Sequence, residues 1–160
     1  ENVEDKINYL LSLGFLKEEI IKITIDFPSL LGYSQENINS KIEELISYGY
    51  TKEEVIIIIK KLPQIIGYSS ENLKDKIEFF DSINMHELII VDTRQLMQST
   101  ALSYARFYYY QDNNVEINMT NYRKLFESEI RFKKSSGYSN QELMEKYTYK
   151  DTVKKYGRTI

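Results

Sequence analysis

Apolar residues recur along this chain at the three- and four-residue spacing that places side chains on one face of an α-helix. Two such runs are Ile38, Ile42, Leu45 and Ile46, and then Leu73, Ile77 and Phe80. Only two prolines and six glycines interrupt the chain, which favours long helices over strands joined by turns. The pattern therefore predicts an all-α protein.

The two runs belong to an internal repeat of 35 residues. The segment GYSQENINSKIEEL at 32–45 returns as GYSSENLKDKIEFF at 67–80, and the chain opens with the related ENVEDKINYL. Residues of the same type recur with this period, namely Lys6, Lys41 and Lys76, Gly14 and Gly49, Pro28 and Pro63, Gly32 and Gly67, and Tyr33 and Tyr68. Such a period is typical of α-solenoids, in which each unit packs on its neighbours.

Capping residues divide each repeat into two helices. Ser34 and Ser69 are suited to cap the N-terminus of a first helix, and Gly49 ends it. Thr51–Glu54 fits a capping box that opens a second helix, and Pro63 stops that helix. The second helix is rich in β-branched residues, which alone would suggest a strand, but the capping box argues for a helix. The few residues after the proline are expected to form a 3₁₀ turn.

We expect three such repeats in one continuous array, followed by an atypical helical region that caps it. The boundaries are 1–34, 35–69 and 70–100 for the repeats and 101–160 for the C-terminal region. The third repeat is shorter, with an offset of about 30 residues. The chain begins inside a repeat, so an upstream piece is expected to have been removed or left out.

The C-terminal region keeps parts of the repeat. We predict a tyrosine-rich helix at 101–111, a loop at 112–118, and a helix of the first type from Thr120 to Lys134, ending at Gly137. The segment 137–143 resembles the segment 49–55, which predicts a further partial unit.

Composition argues against several kinds of site. The chain has no cysteine, which excludes a disulfide framework, a thiolate metal site and a cysteine nucleophile. His86 is the only histidine, so it is interpreted as a surface or boundary residue rather than a metal ligand. No motif for acid–base, phosphate-loop or serine chemistry is present. No apolar run approaches the roughly 18 residues of a membrane span. We expect an intracellular protein, cytoplasmic or organellar, that is not an enzyme and binds no cofactor.

Charge is unevenly distributed along the chain, although the formal net charge is only −3. Residues 1–92 hold nine Lys or Arg and seventeen Asp or Glu, a net charge of −8. Residues 93–160 hold twelve and seven, a net charge of +5. A polyanion is therefore expected to approach the C-terminal part first.

The repeat resembles that of the mitochondrial transcription termination factor (mTERF) family over about the first 100 residues. The first copy of the shared phrase consists of Lys6-Ile7, Leu10, Gly14-Phe15, Glu18-Glu19-Ile20, Pro28 and Leu30-Leu31-Gly32-Tyr33-Ser34. The second consists of Lys41-Ile42, Leu45, Gly49-Tyr50, Glu53-Glu54-Val55, Pro63 and Ile65-Ile66-Gly67-Tyr68-Ser69.

The resemblance implies a left-handed superhelix of triangular units, each with two α-helices and a 3₁₀ helix. It also implies binding of double-stranded DNA or RNA along a basic groove, in organellar transcription, translation or ribosome assembly. Lys6, Lys41 and Lys76 lie on matching motif positions and would contact phosphate, which gives affinity without reading sequence. The alternative is that each lysine pairs with nearby carboxylates, such as Glu43 or Glu44 beside Lys41. The acidic charge of the repeats departs from the family.

The C-terminal cations form a second candidate set. Arg123, Lys124, Arg131, Lys133 and Lys134 lie on the helix predicted from Thr120, and Lys146, Lys150, Lys154, Lys155 and Arg158 follow. A basic patch of this size could bind a phosphate backbone, or it is the ordinary surface charge of a cap.

Arg106 is a third candidate, because it lies among Tyr104, Tyr108, Tyr109 and Tyr110. Aromatic side chains next to arginine can stack on bases. Several of these aromatic positions share one helical face, so packing in the core is the alternative.

Two functions follow from these observations. The first is a non-catalytic nucleic-acid-binding repeat module that contacts double-stranded DNA or RNA. The second is a protein-binding helical repeat that has kept the scaffold and lost the basic groove. No membrane partner is expected, and the sequence does not fix the oligomeric state.

Overall fold

The computed structural model describes residues 2–148, and every regular element in that range is helical. The chain divides into two compact units, Glu1–Leu73 and Lys74–Ile160. Across residues 2–148, no helix combines the length and apolar character that a membrane span requires.

The first unit contains two copies of one arrangement, an α-helix, a second α-helix and a 3₁₀ helix. The first copy consists of α1 (Val3–Ser12), α2 (Lys17–Asp26) and η1 (Pro28–Gly32), and the second of α3 (Gln35–Ser47), α4 (Lys52–Lys61) and η2 (Pro63–Gly67). This confirms the predicted repeat of two helices and a 3₁₀ turn. The handedness of the superhelix stays a prediction.

The β-branched segment after Thr51 is helical, as its capping box indicated. The Thr51 hydroxyl accepts a hydrogen bond from the amide of Glu54 at 3.1 Å, and the Glu54 carboxylate accepts one from the amide of Thr51 at 3.0 Å. Val55, Ile58 and Ile59 are fully buried on this helix. Each such side chain contributes about 1.5–3 kcal/mol through burial, which outweighs a helix propensity cost of at most about 0.7 kcal/mol.

Glu19 and Lys60 connect the two repeats of the first unit. Their carboxylate and ammonium groups lie 3.0 Å apart, and the ammonium is 5.9 Å from the centroid of the Phe15 ring. The amide of Leu16 donates to the same carboxylate, and this bond and the lysine together lower the pKa of Glu19. The pair therefore adds a polar contact beside the apolar core of the two repeats.

The second unit continues the pattern with shortening second helices. The third repeat consists of α5 (Ser70–Ser82), which begins at the end of the first unit, α6 (Leu88–Val91) and η3 (Thr93–Met97). The fourth has α7 (Thr100–Asp112) and η4 (Tyr122–Phe126), and the last helices among the described residues are α8 (Glu129–Ser136) and α9 (Asn140–Lys146). The second helix thus shrinks from ten residues in α4 to four in α6, and in the fourth repeat a loop takes its place.

Each first helix from α1 to α7 is followed by a turn in which one residue has positive φ. Gly14 and Gly49 have φ of 102° and 103°, and Asn84 and Asn114 have 56° and 58° at the same repeat position. Asparagine tolerates the left-handed region better than most residues. The glycine turns confirm the prediction from the sequence, and the asparagines show that the turn persists where glycine is absent.

The single helix predicted from Thr120 to Lys134 is wrong. The chain forms η4, becomes extended at Glu127 (φ −59°, ψ 153°), and starts α8 with a new N-cap at Ser128. The Ser128 hydroxyl accepts a hydrogen bond from the Arg131 amide at 3.4 Å. Arg106 binds the carbonyls of Leu125 and Glu127, which a continuous helix would need as acceptors for its own amides. The end at Gly137, with φ 84°, is as predicted.

Candidate nucleic-acid interface

The three repeat lysines lie inside the protein and in equivalent environments. Lys6, Lys41 and Lys76 expose only 6%, 7% and 6% of their surfaces. Their ammonium groups donate to the main-chain carbonyls of Leu31, of Tyr68 at 2.7 Å, and of Gln98 at 2.7 Å, respectively. In each repeat, therefore, a lysine of the first helix binds the C-terminal end of the 3₁₀ helix.

These contacts favour packing over phosphate contact as the role of the three lysines. The last carbonyls of a helix have no partner within it, and a lysine supplies the missing donor. Lys41 also pairs with Glu44 at 2.7 Å, one of the carboxylates that the sequence offered as its alternative partners. Burial lowers the pKa of Lys76, because it removes water from the ammonium group. An ammonium held in this way is not placed to meet a polyanion.

Arg106 holds the same position in the fourth repeat. It follows the capping serine Ser99 by seven residues, as Lys76 follows Ser69. Its guanidinium donates to the carbonyls of Leu125 at 3.0 Å and Glu127 at 2.6 Å and to the Asn140 amide oxygen at 2.9 Å.

The surroundings of Arg106 do not suit base stacking, the role suggested by its tyrosine neighbours. The residue is 1% exposed, and its guanidinium lies 4.5 Å from the centroid of the Phe132 ring. Burial lowers its pKa. The guanidinium already stacks on a core aromatic ring and connects η4 to α9. The sequence signal for this role is the distance of seven residues from the capping serine to the cation. This spacing was not recognised from the sequence.

Most tyrosines of α7 belong to the core. Tyr104, Tyr108 and Tyr110 are buried, and the rings of Tyr104 and Tyr108 are stacked with centroids 6.2 Å apart. Tyr109 differs because it is only half-buried. Its ring is held by edge contacts with Phe132 at 5.3 Å and Tyr138 at 6.1 Å. The packing interpretation fits the first three, and only Tyr109 offers a partly open ring.

The C-terminal cations are exposed, but they do not share the predicted helix. Arg123 and Lys124 lie on η4, whereas Arg131, Lys133 and Lys134 lie on α8. The single helix predicted to carry all five cations therefore does not exist. The break between η4 and α8 instead brings three of the five cations to one concave surface.

This surface is a cleft of about 540 Å³, here called the basic cleft. It is lined by Tyr109, Tyr110, Lys124, Glu127, Arg131, Lys134 and Ser135. Three cations against one carboxylate give it a net charge of +2. Arg123 and Lys133 do not line it, and Arg123 instead lies with its guanidinium 5.8 Å from the centroid of the Tyr122 ring.

Tyr110 forms an uncharged part of the cleft wall at neutral pH. Burial, followed by the Glu127 carboxylate, raises the pKa of Tyr110 to about 12. The Lys124 ammonium lies 6.0 Å from the centroid of its ring, close to the outer limit for an attraction between a cation and the π-system. The cleft therefore combines fixed positive charge with a neutral aromatic wall.

The other candidate residues lie outside the basic cleft. Lys146 is exposed and donates to the Tyr138 hydroxyl at 2.9 Å, a bond that raises its pKa. Lys150, Lys154, Lys155 and Arg158 fall outside the described residues. His86 is half-buried, with its Nδ1 2.5 Å from an Asp81 oxygen. Within residues 2–148, no group of three or more His, Asp or Glu side chains could hold a metal ion.

Comparison with known proteins gives one match. The family model described as mTERF matches residues 1–91 of the 160. No curated protein and no solved structure matches the chain. The match covers more than half of the chain and ends before Tyr109, the first residue of the basic cleft.

Proposed function

Because this chain belongs to the mTERF family, we propose that it is a non-catalytic nucleic-acid-binding repeat module that contacts the phosphate backbone through Lys and Arg. The observation that carries the proposal is the basic cleft, where Lys124, Arg131 and Lys134 converge beside two tyrosines. Phosphate contacts by such side chains supply most of the sequence-independent affinity for nucleic acid.

Charge distribution supports this place for the contact. Residues 93–160 carry a net charge of +5, against −8 for residues 1–92. A polyanion is repelled by the acidic part and attracted by the basic part. Arg123 and Lys133 are exposed on the same two helices as the cleft residues, so they extend the positive surface beyond the cleft.

The proposal separates the predicted cations into two groups. Lys6, Lys41, Lys76 and Arg106 hold the ends of the 3₁₀ helices and maintain the scaffold. Lys124, Arg131 and Lys134 bind phosphate, whereas Arg123 and Lys133 lie outside the cleft. Of these four, Arg106 is needed for binding because it holds η4 and α8 in place.

Fluorescence anisotropy with labelled duplex DNA and duplex RNA tests the proposal. Raising the salt from about 50 to about 200 mM should weaken binding to duplex DNA about 40-fold if three phosphates are contacted. Replacing Lys124, Arg131 and Lys134 by alanine should remove most of this salt dependence. An absence of binding to every duplex at the lower salt concentration would contradict the proposal.

A protein-binding module is the second candidate, and one observation favours it. Ile21 and Ile25 lie one turn apart on α2 and are 52% and 71% exposed. Adjacent apolar side chains on an exposed helix face are typical of protein contacts. This function gains if the duplexes do not bind and replacing both isoleucines by serine abolishes association with a protein partner.

A further inference from the structure

We propose that the basic cleft binds a phosphate monoester, as found at the 5′ end of a nucleic-acid strand, more tightly than an internal phosphodiester. The inference rests on the proposed function and specifies the ligand of the same site. Charge, size and rigidity of the cleft each support it.

The charge of the cleft matches a monoester. Lys124, Arg131 and Lys134 oppose Glu127, which leaves a net charge of +2. A phosphate monoester carries about −1.5 to −2 at pH 7, whereas an internal phosphodiester carries roughly one negative charge. Glu127 also lies within electrostatic range of the buried Arg106 guanidinium, but its carboxylate lines the cleft and opposes an incoming anion. A ligand with only one charge gains less from entering the cleft.

The dimensions of the cleft also suit a strand end. Its volume of about 540 Å³ falls in the range of pockets for small ligands, about 300–1,000 Å³. A nucleotide fits within such a volume, so the cleft can admit the terminal nucleotide of a strand.

The donors suit a phosphate with three free oxygens. Arg131 offers a planar fork of N–H groups for two of those oxygens, and the lysines add point charges. The uncharged Tyr110 and the half-buried Tyr109 form a wall against which the terminal nucleoside can lie. A monoester can therefore accept hydrogen bonds from more of the cleft donors than a diester, which has only two free oxygens.

The walls of the cleft are held in place before a ligand arrives. Arg106 binds the Leu125 and Glu127 carbonyls on one side and lies against Phe132 of α8 on the other. The Gln98 side-chain amide also donates to the Leu125 carbonyl at 2.9 Å. Binding then costs little reorganisation of the main chain, which increases the affinity that a few charged groups can give.

The test compares two fluorescent single-stranded oligonucleotides that differ only in a 5′-phosphate or a 5′-hydroxyl. We expect the phosphorylated strand to bind about tenfold more tightly, the effect of one additional charge-assisted hydrogen bond. Lys134→Ala should abolish this preference, and Lys133→Ala should retain it. The two lysines are adjacent and exposed in the last turn of α8, but only Lys134 lines the cleft. Glu127→Gln should tighten binding of the phosphorylated strand.

Inorganic phosphate and a nucleoside 5′-monophosphate serve as competitors to identify the source of the monoester. Competition by the mononucleotide as effective as by the phosphorylated strand would support the monoester site and assign it to free nucleotides. If inorganic phosphate competes as effectively as the mononucleotide, the proposed contact between the two tyrosines and the terminal nucleoside is overturned.

Equal affinity for the two strand ends, with salt dependence retained, would overturn the monoester site and leave the proposed function standing. If Lys133→Ala and Lys134→Ala lose this preference for the 5′-phosphate equally, the monoester site is overturned as well. If neither strand nor any duplex binds, the proposed function fails. In that case calorimetry with the mononucleotide decides the monoester site. The site stands if the mononucleotide binds the wild type but not Lys134→Ala, and it is overturned if the wild type does not bind or if both proteins bind equally.

Discussion

Lys76 and Arg106 lie 30 residues apart in the sequence and form equivalent hydrogen bonds in consecutive repeats. Lys76 donates to the carbonyl of Gln98, and Arg106 donates to the carbonyl of Glu127. Each acceptor immediately precedes the serine that caps the next helix, Ser99 or Ser128. The cation thus ties the first helix of a repeat to the point where the chain leaves its 3₁₀ helix.

Arg106 also reaches the second acceptor position of this arrangement. Lys6 binds Leu31, and Arg106 binds Leu125, and each of these leucines lies three residues before a capping serine, Ser34 or Ser128. One nitrogen of the Arg106 guanidinium donates to both carbonyls. The fourth repeat has no second helix between α7 and η4.

Arg106→Met should lower the free energy of unfolding by about 1–3 kcal/mol, because it removes the donor of the Glu127 carbonyl and of the Asn140 amide oxygen. Arg106→Lys should recover part of the loss. Urea denaturation followed by circular dichroism measures both. Arg123→Met, at an exposed arginine, is the control and should change stability by less than about 0.5 kcal/mol. If Arg106→Met lowers the free energy of unfolding by less than about 1 kcal/mol, this role of Arg106 is contradicted.

Gly67 and Gly32 give a matched pair for testing how the two repeats of the first unit meet. A Cβ atom at Gly67 would lie 2.6 Å from the Tyr33 hydroxyl oxygen, whereas at Gly32 it would meet nothing within 4 Å. Gly67→Ala should therefore destabilise the protein by about 1 kcal/mol through overpacking, and Gly32→Ala should not. Combining Gly67→Ala with Tyr33→Phe should restore most of the loss. Equal effects of the two glycine substitutions would refute the contact.

Ionisation of Tyr110 should destabilise the fold at high pH. The pKa of Tyr110 is about 12 in the folded protein and about 10 in an unfolded chain. Its contribution to stability is fully present below pH 10 and is lost as the pH rises toward 12, because the folded state then holds the proton more tightly. Tyr110→Phe should lose less stability than the wild type between pH 10 and 11.5. Parallel losses in the two proteins would show that this tyrosine ionises normally.

Asn114→Gly should stabilise the second unit. Asn114 has φ of 58°, a conformation that glycine adopts without the steric cost that a side chain imposes. We expect a gain of up to about 1 kcal/mol, measured by thermal denaturation. Asn113→Gly, one residue earlier with φ of −96°, should instead be neutral or destabilising, and the reverse order would contradict the assignment of the turn.

The sequence predicts the repeated half of the fold well, because its signals are local. The period places Ser34, Gly49, Thr51 and Pro63 at helix ends, and each performs the capping or stop function expected of its type. Periodicity also identifies Lys41 and its equivalents as one set. It does not show that their ammonium groups point inward, because the acceptor lies 27 residues away in the case of Lys41 and Tyr68.

The C-terminal region is predicted less well because tertiary contacts decide its structure. The residues from Thr120 to Lys134 have no proline or glycine to break a helix, and the break depends on Arg106 and on the cap at Ser128. The basic cleft exists only because of that break. Its cations were among the predicted site residues, but their grouping, and the difference between Tyr109 and its neighbours, could not be read from spacing.

Charge reversal in the basic cleft tests the central claim most directly. Arg131→Glu with Lys134→Glu should weaken binding of duplex DNA at least about 100-fold at low salt, because two phosphate contacts become repulsive. Lys17→Glu with Lys22→Glu changes the net charge by the same amount at exposed positions of α2 and should weaken it less than about fivefold. Circular dichroism confirms that both double variants fold. Equal losses in the two would show that net charge alone governs binding and would contradict a nucleic-acid site in the cleft.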